Sequence, residues 1–420
     1  MLHINMKSFP KLLNIFIIYS LFSFITTTPT YEEYTSVFLD KIRIGSQSKE
    51  ISLIVDTLSS KTELFTNSKR PYSTEIEKNR KSDVLKDKVS FAGEVIKSFP
   101  FNLESDNTQL NDRSIQGLLG LGIDHDNSND LIDVLYDNEI ISSKVIEVDF
   151  EEGDNENSVV INLSPKASQF TFCDLTKRRS LYSDDIYYDA WICELSHIVI
   201  GSTKKDLTWN DTLEVKGEVA FDSRTKYIYI PKNYIKYITN LWKMDPNECK
   251  LIHALQSDEK FYSCSLKMKD KIFDMGSIYF VIGGYGFRLR APDLFVNDGK
   301  NLKCLIRFFN DERDNMWVLG APFLREYKTM FDFKNAKIGF KGGDILDFKK
   351  EYESWIKESK ERSKFFKGYT WEKVLMIIGT IVGTLIIIYV MFWLYRNCKR
   401  EKSKYHIELN ENYDKKEIYH

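Results

Sequence analysis

The sequence predicts a strand-dominated protein with a duplicated plan and one membrane tether. Three observations carry that expectation. Phe and Tyr number 28 and 23 of 420 residues, and runs of β-branched residues recur, which favours strands over helices. The stretch Val55-Asp56-Thr57-Leu58-Ser59-Ser60 ends one apolar run and Phe221-Asp222-Ser223-Arg224-Thr225 ends another, so an Asp followed by a hydroxyl residue closes a strand twice. Residues 374–395 carry no charge over a length that can cross a bilayer.

Taken in order, the chain opens with Lys7 and Lys11, an apolar stretch over 12–25 and the small residues Thr26 to Thr28, the layout of a secretory signal over 1–27. An N-terminal anchor is the competing reading of that stretch. Alternation through Val37, Leu39, Ile42 and Ile44, then Gly45-Ser46-Gln47-Ser48, then Ile51, Leu53 and Val55 reads as a hairpin. A second alternating stretch covers 88–101, the glycine-rich Gly117-Leu118-Leu119-Gly120-Leu121-Gly122 follows, and 131–141 is the first helix candidate. The second half repeats the order. A strand leads into Asp222, 232–243 is a helix candidate, Gly283-Gly284 turns a hairpin, and Val318-Leu319-Gly320 echoes Leu118-Leu119-Gly120. A hairpin over 331–340 closes the domain, and the charged stretch 344–371 reads as a helical stalk. Such a two-fold recurrence is what an internal duplication leaves behind.

Net charge is −2 with both signs interleaved, so the clustered basic surface that nucleic acid requires is missing. Arg396, Lys399, Arg400, Lys402 and Lys404 follow the apolar stretch and predict a cytoplasmic tail over 396–420. The chain then reads as a single-pass type I protein with 28–373 outside, in the secretory or endolysosomal system or at the cell surface. That compartment lets cysteines pair, and five lie there: Cys173, Cys193, Cys249, Cys264 and Cys304. Cys173 and Cys193 flank one stretch of chain and are expected to pair. No HExxH, no metal-spaced Cys-His cluster and no G-x-S-x-G stretch is present, so neither a metal nor another cofactor is expected, and a serine nucleophile is not indicated.

The phrases IGSQSKEISLIVDTLSS, SDVLKDKVSFAGEVIKSFPF, GLLGLG, GEVAFDSRTKYIYIP, IYFVIGGYGFRLRAPDLFV and WVLGAPFLREYKTMFDFKNAKIGF stand in one order across 36–341. Together they resemble the pepsin-type aspartic peptidases, family A1. The resemblance implies an all-β, bilobal fold, with an N-terminal lobe over 28–175, a C-terminal lobe over 176–343, and the stalk and transmembrane helix beyond. It implies that Asp56 and Asp222 face one another as the catalytic pair, with Thr57, Ser59, Ser223 and Thr225 bracing them. It also implies a Cys264–Cys304 disulfide, which leaves Cys249 odd. Two carboxyls at close range share one proton: the ionised one activates water and the protonated one donates to the peptide carbonyl. The partners implied are a polypeptide in the cleft and the lipid bilayer.

The sequence departs from that family at telling positions. Leu58 and Arg224 stand where the pattern has Gly, and the run Thr74 to Lys81 around Glu75, where the flap Tyr would fall, has neither Tyr nor Gly, with Tyr72 as the substitute nearby. Gly allows close approach of backbone and substrate, whereas an Arg beside the pair favours both ionised carboxylates. Two readings follow: a membrane-anchored aspartic endopeptidase with impaired turnover, or a pseudopeptidase that binds polypeptide without cutting it.

Overall fold

A computed structural model describes residues 39–416 apart from 46–47, 67–83, 106–114, 125–127, 151–158, 180–185, 188–189, 202–211, 243, 255–258, 310–314 and 358–370. The signal segment and the flap positions around Glu75 lie outside these residues.

The first half closes a six-stranded barrel. Its hairpin pairs Leu39–Ile44 with Lys49–Asp56, in the register Ile42 to Ile51 that buries both side chains. The strand Lys49–Asp56 then runs parallel to Ile115–Gly120, with Asp56 opposite Gly120. The second half repeats this move inside a twelve-stranded sheet: Thr212–Phe221 runs parallel to Met316–Leu319, with Phe221 opposite Leu319. In both halves the apolar-apolar-Gly phrase is therefore the strand that lies beside the Asp strand.

A five-stranded sheet joins the halves. It takes Val145–Asp149, Val160–Asn162 and Thr171–Asp174 from the first and the closing hairpin, Lys328–Asp332 with Lys337–Lys341, from the second. Trp191 is fully buried against Phe331 and Phe333 of that hairpin. The first helix, Asp130–Asp137, is capped by Asn129, whose side chain accepts from the backbone N–H groups of Leu131 and Ile132. The 232–243 candidate divides into a 3-10 turn, Lys232–Tyr234, and an α-helix, Ile235–Trp242.

Two expectations need correction. Cys173 is joined to Cys193, but Cys264 is joined to Cys249 and not to Cys304. The reason is register: Cys249–His253 and Lys260–Ser265 pair antiparallel with Cys249 directly opposite Cys264, while Cys304 faces Phe295 on the next strand and stays a buried thiol. Burial pushes the Cys304 thiol up to about 12. The stalk also begins later than 344. Ile345–Asp347 adds a strand beside Tyr285–Leu289, and the helix starts at residue 348.

The chain divides into a compact unit through Glu351 and a second unit from Tyr352. Among its described residues the second unit holds the end of the helix that starts at 348 and the long helix Trp371–Lys416, in which Leu375–Arg400 has a mean hydropathy of 2.6 and is long and apolar enough to cross a membrane.

Candidate active site

Each Asp leaves its strand into a loop that folds back on the carboxylate. Asp56 Oδ1 accepts from the backbone N–H of Leu58 at 2.8 Å and of Ser59 at 3.3 Å. Asp222 Oδ1 accepts from the Arg224 N–H at 2.9 Å. Neither bond needs a particular side chain, so both survive where Leu58 and Arg224 stand.

The loops are held tightly from behind. A Cβ on Gly120 would stand 2.3 Å from the Lys61 carbonyl oxygen, and one on Gly320 would stand 2.3 Å from the Thr225 carbonyl oxygen. The glycines of the two echoing phrases thus let a neighbouring strand pass against each Asp loop with no room for a side chain.

The halves are locked across the cleft floor by four buried hydrogen bonds arranged about a local two-fold. Thr57 Oγ1 donates to the Phe221 carbonyl at 2.7 Å and accepts from the Ser223 N–H at 3.0 Å. Ser223 Oγ donates to the Val55 carbonyl at 2.7 Å and accepts from the Thr57 N–H at 3.1 Å. Thr57 and Ser223 therefore tie one loop to the other and make no bond to the carboxylates. The hydroxyls of Ser59 and Thr225 are engaged locally: Ser59 Oγ donates to the Lys61 carbonyl, and Thr225 Oγ1 accepts from the Tyr227 N–H. The N–H of Ser59, not its hydroxyl, reaches Asp56.

The lock brings the two acids to one point. Arg224 Nε lies 3.4 Å from Asp56 Oδ1 and 3.7 Å from Asp222 Oδ1. The Asp56 side chain is 1% exposed and that of Asp222 is 17% exposed, while the Arg224 side chain is 44% exposed and reaches in from solvent. Asp56 Oδ2 is buried and has no hydrogen-bond partner among the described residues. Burial raises the Asp222 carboxyl above the usual carboxylate range and the Asp56 charge adds to the rise; the Arg224 N–H and guanidinium oppose it. Leu58 is half-buried. Among the described residues no group of three or more His, Cys, Asp or Glu side chains could hold a metal ion.

The signal for the cross-lobe lock was present in the sequence as a hydroxyl residue directly after each Asp; what the sequence did not reveal is that these side chains point to the opposite half. A further interlobe bond, Trp191 Nε1 to the Leu121 carbonyl at 2.7 Å, carried no sequence signal.

Known proteins resemble this chain in sequence and in fold. The family profile described as "Eukaryotic aspartyl protease" matches residues 66–342. Gastricsin of Cavia porcellus is 27% identical over 167 residues, which cover 38% of this chain and 39% of that protein. Pepsin A of Gallus gallus is 34% identical over 74 residues, 17% of this chain and 20% of its own. The probable aspartic-type endopeptidase CTSD of Arthroderma benhamiae is 21% identical over 350 residues, 73% of this chain and 61% of its own. The chain thus spans less than two thirds of the length of each of these relatives. Among solved structures, the aspartic proteinase from Irpex lacteus superposes with a TM-score of 0.54 at 15% identity, over 75% of this chain and 96% of its own, a likeness of fold. The matched profile covers well over half of the sequence, and the chain belongs to the eukaryotic aspartyl protease family.

Proposed function

We propose that this chain is a membrane-anchored aspartic-type endopeptidase whose turnover Arg224 restrains. The observation that carries the reading is the pair of acids itself: a symmetric, fully buried lock brings Asp56 and Asp222 to within 4 Å of a single nitrogen. In this reading a water between the carboxyls loses a proton to the ionised partner and attacks the peptide carbon. The protonated partner donates to the carbonyl oxygen as the tetrahedral species forms. The unpartnered Asp56 Oδ2 is the acceptor in position to take that proton, and the raised Asp222 is the acid. No covalent intermediate is needed.

Arg224 works against this step. A guanidinium against both carboxylates favours the doubly ionised pair and fills the place where the water must stand. Because 44% of its side chain is exposed, it can swing outward into solvent at the cost of its contacts to the two carboxylates. The apolar helix over 375–400 and the two disulfides support a membrane protein of the secretory pathway, type I with the paired acids on the lumenal or outer face.

The position of Arg224 also favours a second reading, in which the cleft binds polypeptide and does not cut it. One experiment separates the two. The full chain in detergent is incubated with denatured protein from acidic to neutral pH. Cleavage that a statine-type inhibitor blocks and that Asp56→Asn abolishes establishes the endopeptidase. Saturable binding of the inhibitor without cleavage, persisting in Arg224→Gly, establishes the binding protein.

A further inference from the structure

Arg307 is buried, charged and without a counterion at hydrogen-bonding range among the described residues, and it stacks on Tyr227 in the chain that leaves the Asp222 loop. It sits on the strand Ile306–Phe309, where its neighbours Ile306 and Phe308 point into the core. Its own face is the other one, shared with Tyr229, its register partner on Ile228–Pro231, and with Phe309. The guanidinium is sandwiched between two rings, with its carbon 4.1 Å from the centre of Tyr227 and 3.6 Å from that of Phe261. Tyr227 belongs to the chain that leaves Asp222, and its N–H donates to Thr225 Oγ1. Arg307 therefore packs against the chain that leaves the Asp222 loop.

The side chain is 7% exposed, yet Nε and Nη1 are buried with no hydrogen-bond partner among the described residues. Glu259 lies within electrostatic range of Tyr229 on this face but bonds neither nitrogen, and Lys226 adds a second cation over the Tyr227 ring. A desolvated guanidinium recovers only part of its lost hydration from aromatic faces. The two rings cover both faces, so only the in-plane N–H edges remain to be satisfied. A planar carboxylate approaching edge-on is the group that matches such a fork.

We propose that Arg307 is a specificity-determining residue that receives a Glu or Asp side chain of the polypeptide held on the Asp222 side of the cleft. This rests on the polypeptide-binding reading above. The test uses the full chain in detergent and non-cleavable statine-containing peptides, made in pairs that differ by Glu or Gln at one position, scanned along both sides of the statine. Binding is read by fluorescence polarisation. At one position Glu binds about tenfold more tightly than Gln. That preference disappears in Arg307→Leu and weakens severalfold in Arg307→Lys, which keeps the charge and loses the fork. Equal binding of Glu and Gln at every position in the unaltered chain overturns the proposal without any variant, so a misfolded Arg307→Leu leaves it falsifiable. A Glu preference that survives Arg307→Leu overturns it as well. Failure of all the peptides to bind overturns the polypeptide-binding reading itself, and this inference with it.

Discussion

The two Asp loops share a backbone design and differ in what that design carries. Each has an Asp at the end of a strand, a backbone N–H from two residues later on the carboxylate, a hydroxyl bonded across to the other loop, and a glycine strand pressed behind. The first loop is sealed, with Asp56 almost wholly buried and Leu58 adding only bulk. The second is open, with Asp222 part-exposed and Arg224 bringing a charge from solvent to both acids. The difference teaches that geometry and electrostatics at this site are separable: the lock sets where the carboxyls are, and the residue two places after Asp222 brings a cation against both.

The largest effect tests whether the pair acts as one unit. Asp56→Asn and Asp222→Asn should each lower cleavage by roughly a thousandfold or more, because either change removes half of a shared-proton mechanism. Retained cleavage in either variant, measured against the same denatured substrate, breaks the equivalence of the loops.

Next comes the lock. Thr57→Val and Ser223→Ala each delete a hydroxyl that both donates and accepts across the cleft floor, leaving buried backbone groups unpaired. Each should cost roughly 2–4 kcal/mol of unfolding free energy, and the two costs should be similar. Denaturant unfolding measures both, and a marked inequality would mean that the local two-fold is structural decoration on one side.

These residues also show what could be read from the sequence. Asp56 and Asp222 were legible because chemistry allows few substitutes, and Gly120 and Gly320 because a Cβ cannot fit against the loops. The closing hairpin was legible from its alternation. The Cys249–Cys264 bond was hidden because it depends on the register of a hairpin with no turn signal, and the family resemblance pointed to Cys304 instead. The strand Ile345–Asp347 was hidden inside a charged stretch that reads as helix. The direction of Thr57 and Ser223 across to the opposite half, and the stacking of Arg307 between the rings of Tyr227 and Phe261, both distant in the chain, are properties of packing that no local pattern encodes.

The charge difference between the loops gives a smaller effect. Arg224→Gly should raise turnover by roughly tenfold, the equivalent of about 1.4 kcal/mol, and should move the acidic limb of the pH–rate profile upward, since the guanidinium that favours ionised carboxylates is gone. Leu58→Gly opens space without touching charge, so it should leave the acidic limb in place. An identical shift in both variants would show that bulk, not charge, restrains the site.

The smallest effect reads the electrostatics of the second loop through stability. The Asp222 carboxyl titrates above its unfolded value, chiefly through burial. The folded chain therefore takes up this proton before the unfolded chain does as pH falls. The ionised form weakens the fold at neutral pH, and that penalty is relieved progressively between the raised folded value and the unfolded value near about 4. Asp222→Asn carries no charge at any pH, so its Tm should exceed that of the unaltered chain at neutral pH and the gap should close on acidification. A Tm for Asp222→Asn below that of the unaltered chain at neutral pH would mean that the Arg224 contacts outweigh burial and that the second loop stabilises its ionised carboxylate.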